Sequence, residues 1–538
     1  MAVSMLARHY ASPLTIATAS LSHEFLSRVL LALLTVGFVA IVRKDEDRLL
    51  WRRTSLNPTS DALLFALCAI ATIATCLHVG SWTVLGPSWS VWRRFIIVLI
   101  AILSWKSLTL DCDIGTGNSH VQARLALLIA ALLVYVHPLW VIVFVYTGNE
   151  YLGAWEHHRF LPIRMLELFS SFVLATVVGM HVGFSPADSS RTVIIVVLLT
   201  TLLVSHYLVP GIAKLRLGSR WYSWIRDNRL DYLTAAAYMS GWVRFLRPVV
   251  VSGALRHVQR FNRPLNLLAV GIECATAVCL VNKPLFVVVV ASVCVFHVSV
   301  FLLSGICFWE NVVTLLIFGV TVLDLSADYN VFSPLCVMAV LTLFVLFPLR
   351  RVAWAPHKLA WWDSPFVATV QWEVVGLSGI KYGLYNDWLC PHERLFGRVY
   401  GYCLTTDLFV HYHLGIVRAL EVRNLLVDSN GDRAIIDNIK DAFGTCYYDC
   451  DEKRYHDHYM KQFLECLNGG ARKQLFSGWF RWLKAPGSQW YYWGRSARFT
   501  GQEKIVRLDV VYREDFYDGS RFTCVSERII STTEIDLI

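Results

Sequence analysis

Through residue 350 the chain is dominated by apolar runs of a length that crosses a bilayer, roughly 17 to 25 residues each. They lie near 25–42, 61–85, 92–110, 122–147, 161–182, 192–214, 265–281, 284–306, 310–326 and 331–349. The fourth run is ambiguous at its centre: His137-Pro138 makes 122–147 either one kinked helix or two short ones. Residues 232–247, "YLTAAAYMSGWVRFLR", alternate as an amphipathic segment does and are expected to lie in the interface or re-enter it. Composition agrees with this pattern. Of 538 residues, 56% are hydrophobic and 17% charged, with a mean hydropathy of +0.49, whereas a soluble chain carries roughly 25% charge. The expectation is therefore an all-α polytopic membrane protein of about nine or ten transmembrane helices, multi-pass and integral to a membrane that the sequence does not specify.

The apolar pattern stops at "LFVLFPLRRVAWAPHK", which sets a transmembrane domain at 1–350 and a C-terminal soluble mixed α/β domain at 351–538. In the second part, "DRAIIDNIKDAF" (432–443) and "DHYMKQFLECL" (457–467) read as helices. The tail at 504–531 reads as two alternating runs around Asp518-Gly519, a hairpin signal. No secretory signal is expected, because the first apolar run begins some 25 residues in without a cleavage pattern. The net charge of +9 is spread over the loops, with one cluster at 43–53 that favours a cytoplasmic loop after the first span. Nucleic acid is not an expected partner; the bilayer and a lipophilic small molecule are. Seven of the fourteen cysteines (Cys68, Cys76, Cys274, Cys279, Cys294, Cys307, Cys336) fall in apolar runs, where cysteine packs as a small hydrophobe.

Ionisable side chains at membrane depth are expensive, so they face a cavity or one another. Three stand out: Lys214 at the end of "VIIVVLLTTLLVSHYLVPGIAKL", Glu273 in "LNLLAVGIECATAVCLV", and His297 in "VVVVASVCVFHVSVFLLSGICF". Lys214 at a span's end reads first as a snorkelling side chain. Pro210 and Gly211 before it shift that balance, because they are expected to interrupt the helix and free backbone groups. For His297 the competing reading is an interhelical hydrogen bond, and for Glu273 a structural ion pair. Together the three suit proton handling: an amine out of water, an imidazole and an orienting carboxylate. His206 stands in the same run as Lys214. A further loop, "TGNEYLGAWEHH", brings Asn149, Glu150 and Tyr151 together near an interface.

These residues carry a resemblance. Tyr207, Gly211, Lys214 and Leu215 in "YLVPGIAKL", followed by Trp221, resemble the conserved segment of the vitamin K-dependent γ-carboxylase superfamily, whose membrane part is the HTTM (horizontally transferred transmembrane) domain. "GNEYL" is similar to its N-x-x-YL element, and "FHVSVFLLSGICFWENVV" to its F-H-x(n)-F-x-x-G-x-F-x-x-N helix pair, which contains His297. The resemblance covers roughly 25–350. It implies Lys214 as the base that deprotonates a reduced vitamin K-like quinone, with O2 and CO2 as co-substrates. It also implies His297 and Asn149 shaping the cavity. His297 and Glu273 are expected to share the catalytic proton handling with Lys214, and Asn149, Glu150, Tyr151, His206, Trp221 and Glu310 to bind the substrate. Two departures bear on the chemistry: Ala213 precedes a single lysine, and only about 190 residues follow the membrane part. They leave room for a membrane-embedded terpene cyclase working on an isoprenoid. Mg²⁺ enters only if that isoprenoid is a diphosphate, for which Asp111 and Asp113 in "LDCDIG" are the candidate ligands. A non-catalytic lipid-binding or transport protein is the reading from another class. Cys446, Cys450, His456 and His458 form a weaker, zinc-like spacing, with His-x-His tighter than usual.

Overall fold

The computed structural model describes residues 82, 88–109, 121–145, 161–181, 187–241, 243, 247–280, 283–325, 359–384, 404–405, 415–444, 446, 448–470 and 496–537. Its helical part comprises α1 (Trp89–Thr109), α2 (Val121–Val136), α3 (Leu161–His181), α4 (Asp188–Leu215), α5 (Ser223–Asp227), α6 (Leu230–Met239), α7 (Pro248–Arg260), α8 (Asn262–Ala275), a 3₁₀ turn (Thr276–Leu280), α9 (Lys283–Ser304) and α10 (Trp309–Asp324). An aromatic cluster ties α1, α3, α9 and α10 together: Trp89 and Trp92 pack on Phe169, and Phe318 meets Trp92, Phe95 and Phe286. Buried aromatics of this kind contribute both area and preferred ring geometry.

The expectation of nine or ten spans is overturned. Among the described residues, two helices are long and apolar enough to cross a membrane, α4 and α9, and the chain ends in a β-sheet domain. This is not a polytopic all-α membrane protein. Hydropathy counts apolar residues without seeing where helices stop or which way they face. The run at 265–281 is α8 followed by a 3₁₀ turn, the run at 310–326 is a 16-residue helix, and the run at 122–147 breaks at His137-Pro138. Much of the apolar content goes into helix–helix packing instead: 78% of the most apolar 18-residue stretch of α4 is buried inside the protein. The runs at 25–42 and 331–349, and most of 61–85, lie outside the described residues.

α9 behaves differently, with only 28% of its corresponding stretch buried. Val288 and Val295 are each 62% exposed, and Leu302, Leu316, Val320 and Leu323 extend an apolar outer surface across α9 and α10. An apolar surface of this extent marks an interaction site or a membrane contact. The hydroxyls on that face bond to their own helix, Ser292 to the carbonyl of Val288 and Ser299 to that of Val295, so neither depends on water.

The C-terminal part combines helices with a largely antiparallel sheet. A five-stranded sheet has the order β5-β3-β2-β6-β7, with β2 (Phe366–Gly376), β3 (Lys381–Gly383), β5 (Ala497–Arg498), β6 (Ile505–Tyr517) and β7 (Phe522–Glu534). Its neighbours are antiparallel except β3 with β5. A short ladder joins β1 (Trp362–Asp363) to β4 (Ile416–Val417). Among the described residues, helices α11 (Leu420–Asp428), α12 (Arg433–Phe443) and α13 (Cys450–Asn468) accompany the sheet. The β6–β7 hairpin turns at Asp518–Arg521, where Gly519 adopts φ +97° and Asp518 accepts from the amides of Ser520 and Arg521. Central β2 is buried on both faces along nearly its whole length.

Helix α6 corrects another expectation. It packs inside the protein rather than presenting a free apolar face: Tyr232 and Ala235–Ala237 are buried, and the helix packs between α9 and the strands β1, β2 and β6. It therefore forms the junction between the helical part and the sheet, and Tyr238 meets Phe522 of β7 there.

Candidate functional site

α4 runs without interruption from Asp188 to Leu215, through Pro210. The expected break is absent; proline costs only the hydrogen bond its missing N–H would have given to the carbonyl of His206. Along this helix Tyr207, Gly211 and Lys214 follow at spacings of four and three, so they share one face. Gly211 is the close-approach position on that face. A Cβ there would stand 2.9 Å from Cys274 Sγ and 3.0 Å from Glu273 Cβ. With glycine present, α8 comes near enough for Glu273 to meet Lys214 one turn further on.

Lys214 Nζ donates to both oxygens of Glu273, at 2.6 and 2.8 Å. The two side chains are 11% and 6% exposed, so the lysine is not snorkelling into headgroups. It also lies 5.5 Å from the ring of Trp224, whose indole N–H donates to the carbonyl of Trp361 at 2.8 Å. The ion pair thus sits where the helical part meets the sheet domain.

Two turns earlier, the Tyr207 hydroxyl and His297 Nε2 share a hydrogen bond of 2.7 Å. His297 is buried, its ring lies 5.3 Å from that of Phe308, and its Nδ1 is buried with no hydrogen-bond partner. The His206 ring packs edge-on against Tyr207 at 5.2 Å. Tyr207 lies within electrostatic reach of Glu273. The structure therefore brings Lys214 to Glu273 and His297 to Tyr207, and it links the two pairs through one helix face. Tyr207 was part of the recognisable segment, yet its role as the partner of His297 required the structure.

Other expected site residues fall elsewhere. Trp221 is 68% exposed and packs edge-on against Tyr222. Glu310 is buried in the first turn of α10, one residue beyond Trp309 and two from Phe308. Asn149, Glu150 and Tyr151 lie outside the described residues, as do Asp111 and Asp113. The zinc-like spacing dissolves: His456 is buried in the sheet domain, where Nε2 accepts from Trp372 at 2.9 Å and Nδ1 faces Asp457 at 3.0 Å. Cys450 instead belongs to an exposed group with Asp449 and Asp451 at the start of α13, where Asp449 caps the helix.

Below the ion pair lies a second polar network at the junction. Asp363 accepts from Asn228 at 2.8 Å and from the Trp361 indole at 3.0 Å. Burial pushes its carboxyl up to about 7 against those two hydrogen bonds, with the charge of Asp231 adding to the rise. Asp231 holds Arg229 through both oxygens, at 2.7 and 2.6 Å, and accepts from Asn262 at 2.6 Å. Compared with known protein families, curated proteins and solved structures, the chain gives no match.

Proposed function

We propose that this chain is a membrane-associated enzyme that moves a proton to or from a lipophilic substrate at the Lys214–Glu273 pair. The observation that carries this reading is a nearly closed ammonium–carboxylate pair sharing a helix face with the Tyr207–His297 hydrogen bond. Such a pair can act in either direction. It gives up a proton from Lys214, leaving amine and carboxylate, or takes one at Glu273, leaving ammonium and acid. Giving a proton suits cyclisation of an isoprenoid; taking one suits deprotonation of a quinol hydroxyl. The apolar surface of α9 and α10 supports a substrate that arrives from lipid. His297 Nδ1, buried without a partner, offers one hydrogen bond to a substrate oxygen. The resemblance of "YLVPGIAKL" to the carboxylase segment supports the same class, with Lys214 acting together with Glu273 rather than alone.

A second reading is favoured by the closeness of the pair itself: a purely structural bridge between α4 and α8 in a non-catalytic lipid-binding protein. Mass spectrometry on cells fed reduced quinones and isoprenoids separates the two. Wild type should give a product that Lys214→Ala and Glu273→Gln lack at matched membrane abundance, while Trp221→Ala keeps it. Identical profiles in all four would assign the pair to structure alone.

A further inference from the structure

About one helix length from the ion pair, an open cleft of about 710 Å³ lies between the α5–α8 region and α11. Arg226, Arg229, Arg260, Arg263 and Arg423 line it, and Asp227 is the one carboxylate among its lining residues. Two of these charges are already met locally. Arg226 forks onto Asp227 at 2.7 and 2.8 Å, and Arg229 onto Asp231. Among the described residues, Arg260, Arg263 and Arg423 enter no ion pair. Five guanidinium groups against Asp227 and Asp231 leave a net charge of +3 facing one cleft.

We infer that this cleft binds a phosphate or diphosphate group, carried either by a soluble compound or by a lipid headgroup. Three observations converge on that chemistry. First, planar guanidinium forks match phosphate oxygens in pairs, and three uncompensated cations call for a multiply charged anion rather than a single carboxylate. Second, α8 and α11 both begin at the cleft, contributing Asn262 and Arg263, and Leu420 and Arg423, from their first turns. Neither helix has a side-chain cap: the Asn262 oxygen is taken by the amide of Leu230. The first-turn amides of Asn262 and Arg263 (Pro264 has none) and of Leu420 onward, with the positive dipole ends, thus face an anion, while Glu421 is an acid in the first turn of α11. Third, Arg423 is part-buried, gives one Nη to the carbonyl of Asp227, and has an Nε that is buried with no partner. Burial, reinforced by the charge of Arg229, lowers its pKa, opposed by Asp227; an anion would relieve that cost.

The inference does not depend on proton transfer at Lys214, and it is tested on the full chain in detergent. Pyrophosphate titrated by calorimetry is one probe; co-sedimentation with phosphatidylcholine vesicles, plain or containing phosphatidic acid, is the other. Arg260 and Arg263 are exposed, so the Arg260→Gln/Arg263→Gln double variant should fold. Arg256→Gln serves as the control, because Arg256 is an exposed charge on α7, the helix of Arg260, and does not line the cleft. The expected result is binding that weakens at least about tenfold in the double variant and in Arg423→Gln, and less than about twofold in Arg256→Gln. Binding of pyrophosphate points to a soluble phosphate compound. Binding only to vesicles containing phosphatidic acid points to a headgroup. The inference is overturned if neither probe binds, or if Arg256→Gln weakens binding as much as the double variant.

Discussion

The two ends of α8 handle charge in opposite ways. At its C-terminal end Glu273 meets Lys214 in a closed one-to-one pair. At its N-terminal end Arg263 joins a group of arginines that outnumbers its acids and opens to solvent. A buried charge must be matched within the protein, because removing one partner leaves the other uncompensated. An exposed excess of one sign is tolerated by water and kept for what comes from outside. The balance of charge at a site thus separates what holds the protein together from what the protein holds.

The largest effect should come from breaking the closed end. Lys214→Ala or Glu273→Ala should each cost about 3–5 kcal/mol in denaturant unfolding, and Lys214→Met/Glu273→Leu should recover most of that loss. Stability retained in the single variants would mean that water reaches the pair and that the contrast is false. Next, Gly211→Val should destabilise by about 1–3 kcal/mol, since its Cβ and methyls would press on Cys274 and Glu273. A calorimetric scan showing no drop in Tm would deny the close approach of α4 and α8.

The junction between the ends supplies a pH test. Asp363, pushed up to about 7 from the ordinary 3.8, keeps a proton in the folded chain that the unfolded chain has already released. Stability should therefore fall as pH rises between those values and level off above 7. Asp363→Asn should flatten that slope, measured as unfolding midpoints across the window; an unchanged slope would assign the titration elsewhere. The smallest effect belongs to the open end. Arg260→Gln should shift unfolding free energy by no more than about 0.5 kcal/mol, and a larger loss would make the cleft structural.

Much of this was readable in the sequence, and the part that was not has identifiable causes. The helices at 188–215 and 283–304 follow from their apolar runs, and the hairpin from alternation around Asp518-Gly519. Lys214, Glu273 and His297 stand out because each is a costly residue among apolar ones. Hydropathy gave no direction, however: α4 and α9 read almost alike, yet one is a core helix and the other presents its valines outward. That is why spans were over-counted. The arginine cleft was invisible for a different reason. Its members are spread from 226 to 423, and each looks like an ordinary surface charge until α11 folds back beside α8. Trp221 matches the motif by spacing, which says nothing of burial, and its ring is largely exposed.

Helix α8 also acts as a ruler. Eleven residues separate Asn262 from Glu273, and at a rise of 1.5 Å per residue they set the two ends about 16 Å apart along the axis. An α-helix scarcely stretches, so this spacing is a fixed dimension of the protein. A single molecule touching both ends would need an anionic head and an extended chain of about that length, and one several carbons shorter would have to choose between them.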